Sequence, residues 1–281
     1  LRKNKTKGIA IDGVPIRKAS ELFGLIHFVF FSPEDLSIIK NGPAERRHFL
    51  DSELCQLDKV YLYQLSNYNK VVLQRNKLLK ELYLHPDYRE VLDVLDMQLV
   101  QYGSALIQRR QTFAEELGEI VHRIHSQLSG GQEEMELKYE PNVTVDAFAQ
   151  MLFANRERDM RLKTTATGPH RDDISFVVNG VDIRKFGSQG QQRTAALSLK
   201  LSEIELVKRL IGDTPVLLLD DVLSELDSGR QNYLLNSIEN IQTLITCTGL
   251  DEFVNHRFSI NRIYKVTDGS VTVENKQEAD R

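Results

Sequence analysis

Between Lys185 and Asp227 the chain carries three groups of residues suited to holding the phosphates of a nucleotide and a divalent cation. The first is Gly187-Ser188-Gln189-Gly190-Gln191-Gln192, a glycine turn expected to open a helix at about Gln191. A phosphate is held by backbone N–H donors and by the positive end of a helix, and this turn offers both, with the Ser188 hydroxyl as a further donor. Ala195, Leu199, Leu201, Ile204, Leu206, Val207 and Leu210 form the apolar side of that helix, and Gly212 lies just beyond its end. The second group, Val216-Leu217-Leu218-Leu219-Asp220-Asp221, is an aliphatic strand with two acids at the carboxyl edge of a sheet, where side chains reach ligands. Asp220 suits Mg²⁺, directly or through water, because that ion prefers hard oxygen ligands and keeps several waters. Asp221 is then placed to orient an attacking water. The third group is Ser224-Glu225-Leu226-Asp227. Each alone reads as an ordinary Gly-rich loop or helix cap; their order along the chain is what makes the signal. No Gly-x-x-x-x-Gly-Lys-Ser/Thr occurs. That gap and the start at Leu1 lead us to expect roughly the carboxy-terminal three-quarters of a longer protein, cut inside its nucleotide-binding lobe.

The surrounding sequence supplies elements able to position these groups. Ile9-Ala10-Ile11 and Val14-Pro15-Ile16 flank Asp12-Gly13, the residue choice for a tight hairpin turn. Phe28–Phe31 reads as a buried strand, Ser32 as a cap with Pro33 in the first helical turn, and Asn41-Gly42-Pro43 as a break. From Ala44, the residues Leu50, Leu54, Leu57, Tyr61, Leu65, Tyr68, Val72, Leu79 and Leu82 recur at three- and four-residue steps. They predict one long amphipathic helix ending at His85-Pro86. A second stripe runs from Val91 to Leu128 and is stopped by Gly130-Gly131, so the two helices should pair as an antiparallel hairpin. A third helix, capped by Thr144 and carrying Phe148, Leu152 and Phe153, completes a helical insertion. Strands return at Ile174–Val178, with Asn179-Gly180 turning into Val181-Asp182-Ile183. Val216–Leu219 and Thr243–Thr248 read as parallel strands buried in a sheet, and Ile263–Val273, folded about Asp268-Gly269, as a terminal hairpin. The expected class is α/β: a nucleotide-binding lobe made of residues 1–43 and 164–281, interrupted by a helical lobe at 44–163.

With 281 residues, 41% of them apolar, the chain can bury a core and is expected to form two domains. No apolar run reaches the roughly eighteen residues of a membrane span, and no charged-then-apolar leader is read, so a cytoplasmic location without membrane attachment is expected. Cys55 and Cys247 lie far apart, with no partner at metal-ligand spacing, and read as reduced thiols. A net charge of −4 excludes a global footprint for nucleic acid. Any DNA surface must then be local. The candidates are Arg2, Lys3, Lys5 and Lys7; Arg46, Arg47 and His48; and Arg156, Arg158, Arg161 and Lys163, each of which is ordinarily a solvated face.

Four segments together resemble the bacterial RecF family: Phe31-Ser32-Pro33-Glu34-Asp35-Leu36, Thr167-Gly168-Pro169-His170-Arg171-Asp172-Asp173, Gly187–Arg193 and Leu217–Asp227. The similarity extends over essentially the whole chain. It implies an ABC-type ATPase related to SMC heads, with an α/β lobe whose mixed sheet is flanked by helices, and a helical insertion lobe. It further implies ATP-dependent homodimerisation on single- and double-stranded DNA at gaps, cooperation with RecR and RecO, and help in loading RecA. By the resemblance, Ser188, Gln189, Gly190 and Gln191 match the signature that meets ATP bound to the partner subunit. Asp220 matches the Mg²⁺-associated acid, Asp221 the catalytic base, and Ser224 and Asp227 the loop that crosses the dimer interface. Many ABC ATPases carry Glu where Asp221 stands, and a base one methylene shorter implies slow hydrolysis suited to a switch. The γ-phosphate sensor falls to Thr246 or Thr248, and the metal-side switch loop to Glu34 or Asp35. The family's phosphate loop would lie before Leu1, so a protein of these residues alone is expected to bind ATP poorly.

One segment competes with the signature. Leu128-Ser129-Gly130-Gly131-Gln132 matches the best-known ABC signature letter for letter, but Met135–Tyr139 after it alternates like a strand, so it reads as a helix end. A structural SMC-type head is the main alternative function, disfavoured by an insertion too short and too broken for a coiled coil. A transporter ATPase has no support from any membrane-coupled feature. His170 and Arg171 stand open between a phosphate contact, on nucleotide or DNA, and a surface loop at the lobe junction.

Overall fold

Three parallel strands place the acidic pair. In the computed structural model, which describes residues 8–81, 89–247 and 260–274, β3 (Phe28–Phe31), β7 (Val216–Asp220) and β8 (Thr243–Thr246) form a sheet in the order β3-β7-β8, with Phe31 opposite Leu219 and Leu219 opposite Ile245. Alternation sends Val29, Phe31, Leu217 and Leu219 into the core, where α8 (Gln189–Ile211) packs. Phe28, Phe30 and Leu244 face outward. Asp220 therefore ends the middle strand, at the sheet's carboxyl edge.

A second sheet is antiparallel: β4 (Met135–Glu140), β5 (Asp173–Val178) and β6 (Val181–Asp182), in that order. Asn179 (φ 48°) and Gly180 (φ 79°) make the left-handed turn the sequence predicts. β4, which arises inside the helical segment, is thereby hydrogen-bonded to β5 beyond it. The hairpins β1 (Ile9–Ile11) with β2 (Val14–Ile16) and β9 (Ile263–Thr267) with β10 (Ser270–Glu274) form about Asp12-Gly13 and Asp268-Gly269 as expected.

The helices are α1 (Leu36–Lys40), α2 (Pro43–Leu57), α3 (Lys59–Glu81), α4 (Arg89–Leu128), α5 (Phe148–Ala154), α6 (Arg156–Leu162), α7 (Ile183–Phe186), α8 and α9 (Ser228–Ser237). α3 and α4 pair antiparallel, with Asp58 against Arg109, Tyr61 against Arg110 and Arg75 against Asp96. Gly103 on α4 lets the rings of Tyr68 and Phe148 pack against the helix backbone, since a Cβ there would lie 2.5 Å from Phe148 Cε1 and 2.9 Å from Tyr68 Cε2. α4 has 40 residues, about 60 Å of rod, and joins the tip of the helical segment to α8.

Several expectations are corrected. The first stripe is two helices, broken at Asp58 (φ −140°, ψ 104°), whose carboxylate caps α3 by accepting from the amides of Val60 (2.8 Å) and Tyr61 (3.0 Å). Apolar spacing carries straight across such a break. Thr144 is not a helix cap: a turn through Val145–Ala147 precedes α5, which has no side-chain cap. Phe153 is not core but exposed, with the Arg156 guanidinium 4.8 Å above its ring. Ile183 opens α7 rather than continuing β6, because Asp182 caps that turn through the Arg184 amide. His85-Pro86, Thr248 and the Arg2–Lys7 run lie outside the described residues.

Candidate functional site

The signature turn is built by a reciprocal cap. α8 begins at Gln189, two residues earlier than the sequence suggests, with Ser188 as its N-cap. Ser188 Oγ accepts from the Gln191 amide at 3.2 Å, and Gln191 Oε1 accepts from the Ser188 amide at 3.0 Å. The amides of Gln189 and Gly190 occupy helix positions that have no acceptor within the helix. Ser188, Gln189 and Gly190 are all exposed. Ser188 Oγ is used here as an acceptor, so its hydrogen stays free to be donated. Gln191 is committed on both sides, for its Nε2 donates to Glu133 Oε1 at 2.9 Å. It acts within the chain by shaping the turn. Glu133 escaped the sequence reading because its link to Gln191 is purely three-dimensional.

At the sheet edge, Thr246 Oγ1 donates to Asp220 Oδ1 at 2.5 Å across β7 and β8. Thr246 is thus a direct neighbour of Asp220. Asp221 leaves the strand at φ 51°, a left-handed conformation that an Asp tolerates better than most side chains. Its amide donates to Thr246 O (3.1 Å), and its carbonyl accepts from Ser224 Oγ (2.9 Å), so Ser224 serves to hold the turn after the acids. Among the described residues, the Asp221 carboxylate has no hydrogen-bond partner, and it is partly open to solvent. A turn that fixes the backbone and leaves a carboxylate free suits a group that meets a ligand.

Asp227 is tied to the glycine turn. It caps α9 by accepting from the Arg230 amide (3.0 Å) and pairs with the Arg230 guanidinium (2.6 Å), and these contacts hold its carboxyl below the usual range. Arg230 Nη2 then donates to Thr194 Oγ1 (2.6 Å), which donates to Gly190 O (2.8 Å). Asp227 and Gly190 are therefore connected within one chain. Among the described residues no hydrogen bond joins Ser188, Gln189, Gly190 or Gln191 to Asp220 or Asp221.

The Phe31–Leu36 segment meets α8 around a cavity of about 50 Å³ lined by Ser32, Asp35, Arg193, Lys200 and Leu226. Asp35 is turned inward, its Oδ2 accepting from the Ser32 amide at 2.8 Å, and burial pushes its carboxyl up. Glu34 is exposed. Below the cavity, Lys200 pairs with Glu203 at 2.6 Å beside Glu53, inside the core. Burial opposes the charge on Lys200, but Glu203, Glu53 and Asp35 more than reverse this, while burial raises both glutamates. The sequence reading missed this group, because helix spacing places Lys200 among ordinary polar positions.

The Thr167–Asp173 loop proves to be a brace between segments. Arg110, 2% exposed, donates to Pro169 O (2.7 Å), Asp172 (2.9 Å), Asp51 (2.7 Å) and Tyr61 Oη (2.9 Å). Arg46 grips Asp173 with two bonds of 2.6 and 3.0 Å, and Arg47 donates to Asp172 O at 2.8 Å. His170 spans Tyr68 Oη (2.7 Å) and Thr165 O (2.9 Å); with Nε2–H donated to the carbonyl and Nδ1 accepting from the phenol, the neutral ring is fully satisfied. Burial pushes His170 down to about 4. His170 is thus neither a phosphate contact nor a loose surface group, and Arg46 is internal rather than part of a DNA surface. Arg156 is likewise engaged, by Asp93 (2.6 Å) and Asp96 (2.7 Å), whereas Arg158, Arg161 and Lys163 are exposed.

No protein-family model matches the chain. Among curated proteins, the DNA replication and repair protein RecF of Lachnospira eligens is 61% identical over 277 residues, which are 98% of this chain and 76% of that protein. RecF of Agathobacter rectalis is 62% identical over 273 residues, covering 97% of this chain and 75% of that protein. Of solved structures, the recombination mediator RecF-ATPrS of the RecFOR pathway superposes with a TM-score of 0.87 at 35% identity, covering 97% of this chain and 74% of that one. RecF-ATP of the same pathway gives a TM-score of 0.88 with the same identity and coverage.

Proposed function

The chain belongs to the RecF family of DNA replication and repair proteins, and we propose that its glycine turn and its acidic strand edge are the two halves of composite ATP sites, closed when two copies meet head to tail on DNA. Membership at this identity makes it a protein of recombinational repair rather than a structural SMC-type head. ATP as its ligand is supported by the solved relatives with ATP and ATPrS.

The observation that carries the reading is the pairing of exposure with preorganisation at Ser188. The cap fixes the turn through the chain's own bonds, and the Ser188 hydroxyl and the amides of Gln189 and Gly190 remain for phosphate oxygens. Gln191 sets their geometry. In the partner, Asp220 would hold Mg²⁺: one oxygen is occupied by Thr246 and the other is free, which fits an ion that takes few protein ligands and completes its shell with phosphate and water. When bound, the ion supplies neutralisation of charge on the transferring phosphate. Asp221 would take the proton of the attacking water, and its short side chain favours slow turnover. Glu34 would reach the metal side, since Asp35 is held inward. Asp227 and Ser224 would shape the interface loop, and Thr246 would report the γ-phosphate through Asp220. Residues 44–163 would act as a helical lobe contacting DNA, with RecO and RecR as partners, help to RecA as the outcome and the cytoplasm as the setting. No described helix is long and apolar enough to cross a membrane.

Dimerisation of the full-length protein on gapped duplex, followed by light scattering, tests this. ATP should produce a dimer and ADP should not, and Ser188→Arg should abolish the dimer while leaving the thermal transition in place. A dimer indifferent to nucleotide or to Ser188→Arg would contradict the proposal.

A further inference from the structure

The loop that imitates the signature, Leu128-Ser129-Gly130-Gly131-Gln132, leads directly into Glu133. Left-handed Gly130 (φ 63°) and Gly131 (φ 77°) end α4, with the Gly131 amide returning to Ser126 O at 2.7 Å. Ser129 Oγ then accepts from the Glu133 amide at 3.2 Å and bonds Glu133 O at 3.3 Å, so the chain reverses and Glu133 points back over α4 and α8. Its carboxylate is held from two sides, by His125 Nε2 at 3.1 Å and by Gln191 Nε2 at 2.9 Å. His125 is fully buried and bonds Ser198 Oγ on α8 at 3.0 Å through its other nitrogen. Arg123 with Glu205 follows the same seam, and Tyr233 Oη on α9 donates to Gln127 at 2.6 Å.

The geometry points to Glu133 as a positioning residue that carries the state of α4 to the signature turn. Gln191 has two polar ends, one spent on the Ser188 amide and the other on Glu133, so the turn keeps its shape only while Glu133 holds its place. α4 is a single helix whose far end is bolted to the helical segment by Asp93 and Asp96 through Arg156, and by Asp96 through Arg75. α4 runs from Arg89 to Leu128 without a proline or a break, so a tilt at its far end is carried along the rod rather than absorbed at a kink. A ligand that tilts this segment therefore moves Glu133, and with it the donors offered to a neighbouring subunit. The inference rests on reading Ser188–Gln191 as the turn that acts in trans.

Exchanging the two side chains isolates this role. In Glu133→Gln, an amide whose oxygen accepts from Gln191 turns its NH2 onto His125 Nε2, so the ring nitrogen that donates to a carboxylate in the wild type must give up its hydrogen or lose its partner. In Gln191→Glu, two carboxylates face each other. In the double variant the amide and carboxylate trade places, and every bond can re-form. Hydrogen exchange on the chain without nucleotide reads the turn directly. The amides of Ser188, Gln191 and Gln192 should lose roughly tenfold protection in each single variant and recover in the double. ATP-dependent dimerisation of the full-length protein should follow the same order. Equal exchange in all four proteins, losses that simply add in the double, or dimerisation that ignores the exchange order would overturn the inference. If the wild type itself fails to dimerise with ATP, the trans reading falls, while the exchange cycle still decides whether Glu133 holds the turn.

Discussion

His170 shows how a residue's surroundings settle what its type leaves open. In sequence, a His-Arg pair beside a Gly-Pro turn suits phosphate contact. In the fold, the imidazole accepts from a buried phenol and donates to a carbonyl, an arrangement only the neutral ring satisfies. The folded value lies near 4 against an ordinary 6.5, so below pH 6.5 the unfolded chain binds the extra proton first. Stability should therefore fall as pH drops from 6.5 toward 4, by about 2 kcal/mol at pH 5 from this group. Urea unfolding at pH 7.5, 6.5 and 5.5 checks the sign. His170→Gln should flatten the slope, and an unchanged slope would show that His170 is not its source.

At the scale of elements, what could be read from the sequence was whatever is decided locally. Asp12-Gly13, Asn179-Gly180 and Asp268-Gly269 demand positive φ and so announce hairpins, and Val216–Leu219 announces a buried parallel strand by its aliphatic run. The Ser188 turn and Asp220 were legible for the same reason. The break at Asp58 was not, because the apolar stripe keeps its period across it and only the carboxylate's capping bonds show where one helix ends. The inward commitment of Arg46 and Arg156 was equally hidden, since their partners lie elsewhere in the chain. This narrows the question of DNA. With Arg46 buried on Asp173, Arg47 donating to Asp172 O and Arg156 clamped on α4, the exposed members of the basic clusters among the described residues are His48 and, grouped on α6 and its end, Arg158, Arg161 and Lys163. Arg158→Glu with Arg161→Glu should weaken binding to duplex DNA of any sequence and reduce the slope of log affinity against log salt by about 2, one for each phosphate no longer neutralised. Fluorescence anisotropy between low and physiological salt measures both, and an unaltered slope would move the DNA surface elsewhere.

Across the whole molecule, the bonding falls into two sets. One ties Gly190 to Asp227 through Thr194 and Arg230, and another ties Asp220 to Thr246, yet among the described residues nothing bonds the first set to the second through the acids. On the proposed reading a single subunit presents two half-sites, and symmetry would complete the pair when two copies face each other. Mixing two damaged proteins tests this most directly. Full-length Ser188→Ala, which removes the hydroxyl donor without adding the bulk that blocks the dimer, and full-length Asp221→Asn should each hydrolyse ATP far more slowly than wild type. In a mixed dimer, the acids of the first meet the turn of the second, and one whole site is rebuilt. An equimolar mixture should recover about a quarter of the wild-type rate, half the dimers being mixed and each holding one good site. Recovery near that level is the predicted result; a mixture no faster than its two components would contradict the composite site.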